Sequence, residues 1–387
     1  MRLIWLRWVA LLDTRETPES LAAVRIVVGA TVLLTLAHAW WSGAAAFWVA
    51  TAHGGVGASE PGVLDLFGGL TERNVDALLV VGLAASALLT VGRCTRAAAL
   101  VTWVCFRTLA FSNPLSGGSG DNVVSNVLLI VLLSGSGRAW SLDALRIPGS
   151  AMVSAWPRYL AIGQLVTIYL SAGWHKASGA WMPFGSLDAI WYVVHNPIWL
   201  RRTLFFDGDV IGRLSQLATF TTWLFEISSP LLLLAFYFRA TPQRPGLLRR
   251  WFNRWDFRAN YLVVGFCLHL GIELILEVGA FFGGMMALYA ACFHPDELRA
   301  LASRVRRHGC RPLLPQSSST TPNATGPRSF RRGHAGSRNG TGPARGASTD
   351  GSGATSGDRG IGMGLGRNPC GASQNYHASK GCAQERV

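Results

Sequence analysis

Apolar residues in this chain come in blocks, and the blocks are too long and too uniform for the alternating surface of a soluble fold. Windows at 20–41, 75–92, 96–112, 121–135, 158–176, 213–238, 259–276 and 279–293 are dominated by Leu, Val, Ala, Ile and Phe. Runs of this kind predict membrane-spanning helices, because a helix closes its own backbone hydrogen bonds and so tolerates a solvent that offers none. The pattern therefore predicts an all-α fold: a polytopic membrane helix bundle of about eight spans.

The polar connectors add an orientation. Arg2, Arg7 and Arg15 precede the first window, and Arg93 and Arg96 join the second to the third. Arg138, Arg146 and Arg158 surround the link from the fourth to the fifth; "RATPQRPGLLRRWFNRWDFR" joins the sixth to the seventh. Arg299, Arg304, Arg306 and Arg307 follow the eighth. Every second connector is basic, so the positive-inside rule predicts a multi-pass cell-membrane protein with both termini cytoplasmic and loop 177–212 external. The predicted organisation is 1–19 as a cytoplasmic interfacial amphipathic segment, 20–297 as the transmembrane domain and 298–387 as a basic cytoplasmic tail.

Composition strengthens this division. Half the 387 residues are hydrophobic, mean hydropathy is +0.28 and there are 15 Trp, which argues against an ordinary soluble enzyme. The net charge of +14 is uneven: from Arg299 onward there are 14 basic and 3 acidic residues, whereas the first 298 residues carry only +3. The tail is rich in Gly, Ser, Thr, Pro and Arg and has too little apolar surface to offset backbone ordering, so it is expected to be disordered. The basicity thus belongs to the tail, and no specific nucleic-acid partner is expected. Seven cysteines without CxxC spacing indicate neither a disulfide framework nor a zinc knuckle.

Against this background the ionisable residues inside the windows are informative, since each is costly there. They are Arg25, Arg107, Lys176, Glu226, His269, Glu273 and Glu277, with Asp121 and Asn122 opening the fourth window. His269, Glu273 and Glu277 are four apart, the spacing of one helix face. The predicted topology places most of these groups toward the outer side, where they would converge on a cavity. Each also has a structural reading: Lys176, one of only two lysines, as a snorkelling amine; His269 with Glu273 as a packing pair; Arg25 and Arg107 as partners of carboxylates or carbonyls. A metal reading of His269, Glu273, Glu277 and Glu226 has suitable atoms but lacks a second His-bearing motif. No metal is assigned.

Several stretches resemble the horizontally transferred transmembrane (HTTM) domain family, relatives of vitamin K-dependent gamma-carboxylase. "PESLAAVRIVVGATVLL" is similar to the family's first span, "FSNPLSGGSGDNVV" to its Asn-Pro and Gly-Asp-Asn loop, and "SLDAL" to the segment after the fourth span. "IYLSAGWHKASGAWMPFGSLDAIWYVV" is similar to a Tyr-x-x-Ala-Gly-x-x-Lys-x-x-x-x-Trp-x-x-x-Gly signature through Tyr169, Ala172, Gly173, Lys176, Trp181 and Gly185. "FEISSPLLL" and "LHLGIELILEVGAFF" resemble later helices, and the likeness covers about 12–297.

The resemblance implies that Lys176 is a base acting on a lipid quinone of the vitamin K type. Together with the converging polar groups, it makes Lys176, His269, Glu273 and Asn122 the catalytic candidates. Arg25, Arg107, Asp121, Tyr169, Trp181 and Glu226 become the candidate cavity residues. The folded domain that engages a propeptide in the carboxylase has no counterpart here, so carboxylation of a protein substrate is not implied. Short bacterial relatives in the sporulation-delaying toxin system imply an alternative, a non-enzymatic membrane partner for maturation, export or immunity of a small secreted peptide. A transporter with Glu226, His269 and Glu273 as a proton relay ranks third, because no inverted repeat is visible.

Overall fold

The computed structural model describes residues 2–49, 63–112, 117–146, 152–201 and 208–309. The chain divides into Met1–Leu314 and Pro315–Val387, and the described residues all lie in the first part. Helix α1 (Arg2–Leu12) leads to strand β1 (Arg15–Glu16) and then to α2 (Glu19–Trp41), α3 (Ala44–Val49), α4 (Glu72–Val91), α5 (Thr95–Ser112) and α6 (Ser119–Leu133). Strand β2 (Val153–Ser154) pairs antiparallel with β1, with Arg15 opposite Ser154 and Glu16 opposite Val153. There follow α7 (Trp156–His175), α8 (Ala189–Val194), α9 (Asp209–Ile227), α10 (Pro230–Ala240), α11 (Leu247–Arg254), α12 (Phe257–Ile275), α13 (Phe281–Cys292) and α14 (Pro295–Gly309).

The apolar windows form helices, but their faces are not equivalent. In α2 the buried positions Leu21, Val24, Val28, Val32 and Leu36 recur every three or four residues, a stripe that packs against α4, α6 and α13. The opposite face is also apolar and exposed, as Leu34 and Trp41 illustrate. A helix apolar on both faces needs an apolar surrounding on the side its neighbours do not cover. Helix α5 packs between α4 and α6, and α13 touches α2, α6, α7 and α12. Beyond α13, α7 meets α9 and α10.

Length and composition qualify three of these helices to cross a membrane, namely α2, α4 and α12, among the described residues. The predicted sixth window, 213–238, is not one straight helix: α9 and α10 meet at 52°, and as a bent pair they qualify as a fourth. The break has a local cause. Pro230 occupies the first turn of α10, where its missing N–H costs nothing, but the same residue prevents α9 from continuing. Helices α6 and α13 are apolar but short.

One end of the helical assembly is held by charge. Arg158 donates from Nε to both carboxylate oxygens of buried Glu16, at 2.8 and 3.0 Å, which joins α7 to β1. Arg25, fully buried in α2, donates to the carbonyls of Ser136 at 2.7 Å, Ala139 at 3.2 Å and Trp140 at 2.5 Å. The neighbouring Asp143 accepts from the amides of Cys94 and Thr95 at 2.9 and 2.8 Å, closing the start of α5. Burial pushes the Asp143 carboxyl up, but these amide bonds outweigh it and hold the group below its ordinary value. Segment 136–143, which runs into the SLDAL stretch, is thus a latch between α2 and α5.

Helix α14 runs to Gly309, so ordered chain continues past the expected tail boundary at 298; residues 310–387 lie outside the described residues. Its Glu297 binds Arg258 at 2.7 and 2.8 Å and also pairs with Arg239, while Arg299 pairs with Glu19 of α2. Burial opposes ionisation of Glu297, yet the Arg258 bonds dominate and lower its pKa from 4.5 to about 2. A carboxylate whose folded pKa lies below its unfolded value stabilises fully above the unfolded value. Thermal unfolding in detergent should therefore show a loss of stability as pH falls from about 4.5 toward 2, and Glu297→Gln should flatten that segment of the curve.

Candidate functional site

Helices α6, α7, α9 and α12, with the start of α13, enclose a cavity of about 960 Å³. It opens between α6 and α7, where Asn122, Asn126, Leu160 and Thr167 are exposed. Five of the sequence-predicted residues line it: Asn122, Tyr169, Lys176, Glu226 and His269. Apolar wall is supplied by Val123, Ile168, Ile272 and Phe281.

Lys176 ends α7, and its ammonium forms an ion pair with Oε1 of Glu226 on α9. The ammonium also lies 4.7 Å from the centre of the Trp181 ring, close enough for a cation–π contact. The two helices approach closely because Gly173 stands between them: a Cβ there would meet the Glu226 Cβ and the Ile227 amide nitrogen at 3.0 Å. Glu226 spends one oxygen on Lys176, and Oε2 is buried without a hydrogen-bond partner.

His269 projects from α12, only 4% exposed. Its Nε2 lies 2.6 Å from the Tyr169 hydroxyl, which is itself 2.6 Å from the Tyr289 hydroxyl on α13. The other ring nitrogen, Nδ1, is buried and has no partner among the described residues. Gly265 makes room for this chain, since a Cβ at that position would stand 1.8 Å from the Tyr289 hydroxyl and 2.6 Å from Phe225. Gly265→Ala should therefore lower stability by about 1–3 kcal/mol through overpacking, read as a drop in unfolding temperature in detergent.

The remaining predicted residues go elsewhere. Glu273 and Glu277 do not extend the His269 face into the cavity; both pair with Arg201, at 2.9 and 3.0 Å. Helix α12 carries Glu273 and stops at Ile275, and the backbones of Trp199 and Arg201 pair with Glu277 and Ile275, so the segment beyond Ile275, with Glu277, becomes a strap. Arg25 is committed to the latch carbonyls and is absent from the cavity lining. Asp121 accepts from the Gly118 amide at 2.7 Å and closes the first turn of α6. Arg107 stacks 3.7 Å over the Phe111 ring and donates to Asn122 Oδ1 at 3.2 Å, touching the cavity only through that amide. Trp181 contacts the Lys176 ammonium without lining the cavity. Asn113 and Pro114 lie outside the described residues.

Sequence reasoning missed Tyr289 and Arg201. A search restricted to ionisable residues within windows passes over a tyrosine, and Arg201 lies in the connector. Among the described residues no group of three or more His, Cys, Asp or Glu is gathered for a metal ion.

Long apolar helices, buried ion pairs and a cavity between helices fit the class of helical membrane proteins. Within that class, residues 14–206 match the model of the HTTM domain, which supports the HTTM family for this chain. The match contains Asn122, Tyr169 and Lys176 and ends before Glu226 and His269. No curated protein and no solved structure gives a significant match.

Proposed function

We propose that the chain is an integral membrane protein of the cell membrane, crossing it eight times with both termini cytoplasmic, and that the cavity carries out base-catalysed chemistry on a lipid quinone or peptide. The eight crossings are α2, α4, α5, α6, α7, the bent pair α9–α10, α12 and α13. The observation that carries the chemical reading is the meeting of Lys176, Glu226 and His269, from three helices, in one cavity. The Lys176–Glu226 pair takes the proton, Oε2 of Glu226 being its uncommitted oxygen, and His269 and Asn122 orient the substrate. Glu273 leaves the catalytic set because Arg201 holds it. A quinone of the vitamin K type fits the chemistry of this lining: polar groups would meet its ring oxygens, while Val123, Ile168, Ile272 and Phe281 would hold its apolar part.

The test compares membranes bearing the native chain with Lys176→Ala and His269→Ala variants at equal abundance, profiling peptides and quinone species by mass spectrometry. A mass shift or an epoxide present only with the native chain supports the reading; identical profiles overturn it.

The exposed polar rim of Asn122, Asn126 and Thr167 supports a second reading, in which the cavity holds a small secreted antimicrobial peptide without chemistry, for maturation, export or immunity. That reading expects a crosslinked peptide complex that survives Lys176→Arg. Failure to recover any peptide counts against it.

A further inference from the structure

We infer that Tyr289 is a positioning residue: through Tyr169 it holds His269, which lines the cavity, as the tautomer protonated on Nδ1, so that the basic ring nitrogen, Nε2, is taken up by Tyr169 and is not free to act as a base. The inference follows from counting protons along the chain Tyr289–Tyr169–His269. Tyr289 is 5% exposed, does not line the cavity, and its hydroxyl has Tyr169 as its hydrogen-bond partner among the described residues. Its proton must therefore go to the Tyr169 oxygen. Tyr169, 3% exposed, then has its own proton for the one neighbour that remains, Nε2 of His269, at 2.6 Å. A nitrogen that accepts carries no proton, which leaves the ring proton on Nδ1.

The alternatives each strand a proton. If Nε2 were the donor, as in the other tautomer or the imidazolium, Tyr169 would have to donate to Tyr289, whose proton would lack an acceptor. If Tyr169 accepted from both neighbours, its own proton would be left over. Buried hydroxyls in native proteins avoid both outcomes.

Nδ1 of His269 is buried and has no hydrogen-bond partner among the described residues, so no neighbouring group competes with Tyr169 in setting where the ring proton sits.

The experiment needs neither ligand nor turnover, so its failure is separable from failure of the proposed chemistry. The full chain, labelled with ¹⁵N-histidine and reconstituted in lipid, is read by solid-state NMR, with the His269 signals assigned by their loss in His269→Gln. The expected result is a neutral ring protonated on Nδ1 in the native chain and a mixture of tautomers in Tyr289→Phe. A ring protonated on Nε2, or on both nitrogens at neutral pH, overturns the tautomer assignment on the native chain alone. An unchanged single Nδ1–H tautomer in folded Tyr289→Phe overturns the role of Tyr289.

Discussion

Arg25→Met should destabilise the protein by about 4 kcal/mol, the largest effect expected of any single substitution considered. The guanidinium is fully buried and donates to three backbone carbonyls of the segment that follows α6. Methionine fills a similar volume without donors, so the buried carbonyl of Ser136 and the partly buried carbonyls of Ala139 and Trp140 lose their partner. Such groups cost more when orphaned than a hydrogen bond contributes when made. Lysine should not rescue the site, because a point charge cannot serve three acceptors arranged for a planar fork. Unfolding temperature in detergent checks this. An Arg25→Met chain as stable as the native one would mean that the latch contributes nothing to the fold.

Glu226→Leu should follow, with a loss of about 3 kcal/mol, the lower end for a broken buried pair because Lys176 keeps some access to solvent. The remaining ammonium is 23% exposed, against 11% for the Glu226 side chain. Lys176→Met leaves the more deeply buried carboxylate alone. The double variant Lys176→Met with Glu226→Leu should recover most of either single loss, since it removes both charges from the interior. Additive losses in that cycle would show that the two residues act independently.

The positions of the helices were legible because a long run made almost wholly of apolar residues has few other ways to fold. The bend between α9 and α10 was written in Ser228, Ser229 and Pro230, but averaging hydropathy over 213–238 hides a single proline. The length of the last helix was hidden for a related reason. Composition changes at Arg299, yet Glu297, Arg258, Arg299 and Glu19 carry helix α14 onward through ion pairs that composition does not register.

At the cavity, residues with a charge to explain were legible, and their partners were not. Lys176, Glu226 and His269 stand out in apolar windows whatever their neighbours. Helical spacing grouped His269 with Glu273 and Glu277; Glu273 keeps that spacing within α12 but pairs with Arg201, and Glu277 lies past the end of the helix at Ile275, where the backbone pairs with Trp199 and Arg201. Which carboxylate meets Lys176 is a matter of how α7 approaches α9, set by Gly173. Tyr289 gives no sign in the sequence, because a tyrosine in an apolar helix reads as packing until its hydroxyl is seen against Tyr169.

The most direct measurement is native mass spectrometry of the chain released from lipid particles, comparing the native protein with Ala172→Trp, a substitution on the cavity wall that keeps every charged side chain. The cavity account predicts that the native chain retains a small molecule distinct from bilayer lipid and that the tryptophan variant, folded and equally abundant, does not. The same bound masses on both chains would contradict it.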